Sequence, residues 1–123
     1  MLTSSIGWIL IASGIFTAGG GLAMLVFPRL VLQLVFGVKS IDGPTMFFAR
    51  HWGTLLFSVC ALTVYCAYFP STRVPILSAS IFEKCFIVLL IFLGPIKRTV
   101  LMTIIGTLDG ILAVLFTAYL AGI

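Results

Sequence analysis

The stretch Ile76–Leu93, ILSASIFEKCFIVLLIFL, decides the fold. Its apolar halves, Ile76–Phe82 and Cys85–Leu93, are each too short to cross a bilayer, because a spanning helix needs about 17–25 residues. Taken whole, the stretch is long enough, but only with Glu83 and Lys84 held inside the membrane region. Three further segments, Ser5–Phe27, Thr45–Phe69 and Thr99–Ile123, meet the same requirement. The prolines Pro28, Pro44, Pro70, Pro75 and Pro95 all fall between these segments or against their ends. Proline breaks a helix interior and suits a first turn or a loop, so its placement marks the boundaries independently. The expected fold is all-α: a single membrane domain over residues 1–123, an integral four-helix bundle.

Composition supports this. Of 123 residues, 62% are hydrophobic and 8% charged, with a mean hydropathy of +1.32. Soluble domains carry about 25% charged residues, so a chain this poor in charge needs lipid as part of its solvent. The net charge of +4 comes from seven Lys and Arg that form no run. Nucleic-acid binding needs a clustered basic face, and none is visible. Cys60, Cys66 and Cys85 are odd in number, lack a CxxC pair and lie in apolar stretches, which points to small buried hydrophobes rather than disulfides. The first segment lacks a positive leader, and its apolar run exceeds the roughly 7–15 residues of a signal peptide, so it is read as a retained helix.

The first connection is the longest. Within it Arg29–Val38, RLVLQLVFGV, reads as a short interfacial helix closed by Gly37 and Lys39. The connections PSTRVP and GPIKR are tight enough to make successive spans antiparallel neighbours. Arg29 and Lys39 in the first connection and Lys97 and Arg98 in the third put four basic residues on one side, against Arg73 on the other. The positive-inside rule then places the first and third connections in the cytoplasm and both termini outside, in an inner membrane of bacterial type. Trp8, Tyr65, Tyr68 and Tyr119 fall near the outer interface, as an aromatic belt requires.

Lipid tails give helices no hydrophobic reason to associate, so small residues must allow close approach. Gly106–Gly110 forms a GxxxG pair continued by Ala113, Thr117 and Ala121; Gly7, Gly14, Ala18 and Gly21 mark the first span, and Ala49 and Gly53 the second. These stripes are expected to pack the bundle itself, with a second copy as the alternative partner.

Arg50, His51, Glu83, Lys84 and Asp109 lie within the spans, where a charge costs about 2.5–3.5 kcal/mol. At a rise of about 1.5 Å per residue, Arg50 and His51 lie roughly 8–9 Å deep and Glu83 and Asp109 about 15 Å deep. The long arginine stem covers the difference. The expected site is therefore a buried polar cluster in which Arg50 pairs with Glu83 or Asp109, with His51 hydrogen-bonded to the same group. Arg50 and Lys84 are the bases that nearly neutralise the two acids there, with the alternative that Lys84, about 100° round the helix from Glu83, reaches another subunit or a lipid headgroup instead. The alternative is an ion pair that only fixes helix register.

One histidine excludes bis-His haem, no ligand set for zinc surrounds it, and no phosphate loop follows a strand, so neither cofactor nor metal is expected. Small multidrug transporters share the size but depend on a glutamate in the first span, which here has no charge. FPRLVLQLVFG after the first span and ARHWGTLLF opening the second resemble the small four-helix membrane proteins grouped around DoxX, with Arg50 and Gly53 at the Arg and Gly that open a helix there. That resemblance covers the first half of the chain and implies the four-helix bundle. The architecture is also similar to the sterol-isomerase and sigma-2-receptor bundles, whose acids line a pocket for lipophilic amines or sterols. The leading expectation is a non-enzymatic binding or accessory subunit, its partners the bilayer and other membrane proteins. The competing one is an enzyme or carrier for a sterol-, isoprenoid- or quinone-like molecule, using Glu83 or Asp109 as proton donor and His51 as relay. Proton-coupled transport is the third. A cavity beside the acids, open to lipid, separates the second from a filled core.

Overall fold

Pro28 sets the first boundary. It has no N–H to extend the preceding ladder, so α1 (Leu2–Val26) stops and α2 (Pro28–Leu34) starts on the proline. The computed structural model describes residues 2–95 and 97–122, with side chains from Ser4 onward. α2 is shorter than the expected Arg29–Val38. The chain turns at Gly37 in the left-handed region (φ +68°), and the Val38 N–H returns to the Leu32 carbonyl. Asp42 then caps α3 (Gly43–Tyr68), its Oδ1 accepting the Thr45 N–H at 2.8 Å. Hydrogen bonds from the Thr45 side chain and backbone hold the Asp42 carboxyl below its usual range. That contribution to the cap is present above the ordinary carboxyl range and fades as pH falls through the lowered value.

A 3₁₀ turn (Pro70–Thr72) leads into α4 (Arg73–Leu93), and α5 (Val100–Leu120) follows its N-cap Thr99. The Ile123 end of the expected fourth span lies outside the described residues. All four long helices are long and apolar enough to cross a membrane. Trp8, Leu93 and Val100 are each more than three-quarters exposed, a surface that lipid tolerates and water does not. The protein is an all-α membrane bundle.

α1 packs most closely on α3 and α4 on α5, with α3 against α4 joining the two pairs. Glycine sets the first of these contacts. A Cβ on Gly21 would meet the Gly53 carbonyl oxygen at 2.8 Å, and one on Gly53 the Gly21 carbonyl oxygen at 2.6 Å, so the two backbones touch. Gly106 faces the Phe92 ring of α4. These small residues therefore pack inside the bundle, while Gly7 meets open space.

Arg73 leaves its expected loop to become the first residue of α4. Its Nε and Nη2 donate to the Cys66 and Ala67 carbonyls, both at 2.8 Å, and Nη1 donates to the Tyr119 hydroxyl at 3.1 Å. It thus satisfies carbonyls in the last turn of α3 and ties them to α5. Tyr119 accordingly turns inward from the aromatic belt. Arg73→Ala is expected to destabilise the fold by about 2 kcal/mol, the scale of hydrogen bonds to a charged group. Arg73→Lys is expected to recover less than half, because one ammonium cannot reproduce the fork. Unfolding in mixed micelles checks both.

Candidate functional site

The buried residues of α5, Met102, Gly106, Asp109, Ala113 and Phe116, recur three and four apart along one stripe. On α4 the corresponding stripe is Leu77, Ser80, Lys84 and Ile91. Facing antiparallel across a short connection, these stripes bring Lys84 and Asp109 together. Lys84 is 2% exposed, and its Nζ lies 3.4 Å from Asp109 Oδ1. Glu83 Oε1 is 4.0 Å from the same ammonium, beyond hydrogen-bonding distance. One cation thus serves two carboxyls. Glu83 Oε1 is buried without a hydrogen-bond partner, as is Ser13 Oγ on α1.

Arg50 and His51 stand outside this cluster. Both are exposed, and every ion pair of Glu83 and Asp109 among the described residues is to Lys84. The expected Arg50 pairing is corrected by helix geometry. Ala49 and Gly53, one turn apart, define the inward face of α3. Arg50 lies about 100° and His51 about 200° round from Ala49. Lys84, one of the two bases expected to neutralise the acids, is the cation of the site, and the alternative that it reaches outward is not what the structure shows. The signal for the lysine was the stripe: Leu77, Ser80, Lys84 and Ile91, spaced three, four and seven residues apart, share one buried face of α4.

Beside the acids lies a cavity of about 650 Å³. Ser13, Thr17, Gly20 and Ala23 of α1 form one wall, Ile105, Asp109 and Leu112 of α5 another, and Glu83, Ile87 and Ile91 of α4 a third. Val31 of α2 and Trp52 of α3 line it towards the α2 end, where Trp52 meets Phe36 edge-on, with ring centroids 6.2 Å apart. Beyond the acids, Ile6, Leu10, Cys66, Leu77 and Phe116 fill the core from all four long helices. At the other end Met24, Leu32 and Ala49 pack with Val31, Phe36 and Trp52. There the Thr99 hydroxyl also donates to the Val35 carbonyl, fastening α2 to α5. Both ends are therefore apolar and closed. The side is different: α1 and α5 barely touch, and the lining residues Phe16, Leu108 and Ile111 are also exposed on the outer surface. The cavity opens to lipid between α1 and α5.

Chemically, this is an apolar chamber whose lining includes the polar side chains of Ser13, Thr17, Glu83 and Asp109. No protein-family model, curated protein or solved structure matches the chain.

Proposed function

We propose that this protein binds a lipophilic small molecule within the membrane, the apolar body in the chamber and a hydrogen-bond-donating head at Glu83 Oε1 and Ser13 Oγ. The observation that carries this reading is a cavity whose lining includes Ser13 and Glu83, each with a buried oxygen lacking a hydrogen-bond partner. Its volume falls within the roughly 300–1,000 Å³ usual for small-molecule sites, which combine apolar walls with a few placed polar groups. Within the sterol-, isoprenoid- and quinone-like class, a sterol, an isoprenoid alcohol or a quinol has both that shape and a donating head. The accessory-subunit reading calls for a filled core, and the cavity supports ligand binding over it. Proton-coupled transport needs a polar path to both faces, and the apolar cluster around Phe116 argues against one.

The loop charges favour an orientation with α2 and the α4–α5 connection in the cytoplasm. Kinship with the DoxX group rests on the two segments quoted above and adds only the architecture.

Two variants test the reading by native mass spectrometry of protein extracted gently from its membrane. Gly20→Leu adds bulk where a Cβ meets nothing within 4 Å; it is expected to empty the cavity of its co-extracted molecule and leave the helical content unchanged. Glu83→Leu removes an unpaired acceptor; retention is expected to fall at least tenfold (about 1.4 kcal/mol) with thermal stability held or raised. Loss of the fold with Glu83→Leu, or no small-molecule adduct on the native chain, would contradict a binding role.

A further inference from the structure

Three side-chain carboxylates occur in the whole chain, and all are accounted for. Asp42 caps α3, while Glu83 and Asp109 flank Lys84. Arg29 and Arg50 have no ion pair or side-chain hydrogen bond among the described residues, yet they come from different helices and line one groove. The groove has a volume of about 500 Å³. Gln33 adds a third polar side chain, and Phe27, Leu30 and Met46 form apolar walls. Phe27 and Leu30 are themselves more than half exposed, so the walls run out onto the lipid-facing surface. A general excess of positive charge at one face requires only that basic residues lie there. It does not require two arginines to share a concavity that holds no acid.

We infer that the Arg29–Arg50 groove is a binding site for the phosphate of an anionic phospholipid. Guanidinium groups match phosphate oxygens with paired, charge-assisted hydrogen bonds, and two from separate helices fix the headgroup more firmly than one. Gln33 offers an amide donor to a remaining oxygen or to a headgroup hydroxyl. Phe27, Leu30 and Met46 give the acyl chains an apolar path away from the phosphate. Free inorganic phosphate offers the same oxygens but nothing for those walls, so the lipid is the better occupant. Occupancy would hold α2 against the start of α3, the elements that close this end of the large cavity. The site is independent of whether that cavity is filled.

The test uses the full-length chain in nanodiscs of phosphatidylcholine with or without one-fifth phosphatidylglycerol, at about 0.5 M salt, where diffuse attraction is screened. Native mass spectrometry after ejection is expected to show phosphatidylglycerol retained preferentially over phosphatidylcholine. The double variant Arg29→Ala/Arg50→Ala is expected to lower that preference at least tenfold. Lys97→Ala/Arg98→Ala removes the same charge from the neighbouring connection and is expected to change it less than twofold. Equal losses from the two double variants would reduce the site to general surface charge and overturn the inference. So would displacement of the lipid by millimolar inorganic phosphate, or the absence of any preference in the native chain.

Discussion

Replacing Asp109 with leucine is expected to destabilise the protein by about 3–5 kcal/mol, because it leaves the Lys84 ammonium buried without its nearest counter-charge. The same loss is not expected when both partners go. Lys84→Met/Asp109→Leu swaps an ion pair with a 3.4 Å contact, long for a charge-assisted hydrogen bond, for apolar packing of similar volume. The desolvation cost of two charges then disappears together with their attraction, and the double variant is expected to return to within about 1 kcal/mol of the native chain or to exceed it. Lys84→Met also removes the cation 4.0 Å from Glu83, so all members of the cycle, the native reference included, carry Glu83→Gln. Reversible unfolding in mixed micelles, run as a double-mutant cycle, checks the prediction. A double variant as unstable as the single would show that the pair does more than neutralise itself.

Gly53→Ala is expected to cost about 1–3 kcal/mol, a large effect for one methyl group. The added carbon would lie 2.6 Å from the Gly21 carbonyl oxygen and 2.8 Å from the Leu25 nitrogen, both backbone atoms that no rotamer change can move aside. The two helices must part, and the α1–α3 contact that organises this half of the bundle loosens with them. Gly19→Ala is the matched control. Its Cβ meets nothing within 4 Å, so helix propensity alone operates and stability is expected to rise by about 0.5–1 kcal/mol. Opposite signs from two glycine-to-alanine changes, one at the crossing and one on α1 two positions before Gly21, would establish the close approach. Equal signs would refute it.

The helices were legible because two strong signals coincide. Apolar length and proline placement bracket the same four segments, and the charged pair at Glu83 and Lys84 does not break the third because Asp109 meets it from α5. The site was legible only in part. Its acids could be found from their presence in an apolar helix, but their partner was assigned by depth alone, and depth ignores which way a helix faces. Ala49 and Gly53 already fixed the inward face of α3, and that face excludes Arg50 and His51. The stripe Leu77, Ser80, Lys84, Ile91 likewise includes the lysine. Rotation carried the information that depth lacked. Neither the cavity nor the Arg73 clamp has a sequence signature. A void is the absence of side chains from a volume enclosed by several helices, and the clamp depends on where α3 ends relative to α5.

The seam between α1 and α5 fixes how any occupant of the chamber exchanges. With both axial ends sealed by apolar side chains, traffic runs sideways through the acyl phase, and water is only a distant reservoir. Occupancy then tracks the mole fraction of solute dissolved in the bilayer rather than its aqueous concentration. For the proposed ligand, diluting the protein with added liposomes is expected to lower occupancy, while diluting it with buffer is expected to leave it almost unchanged.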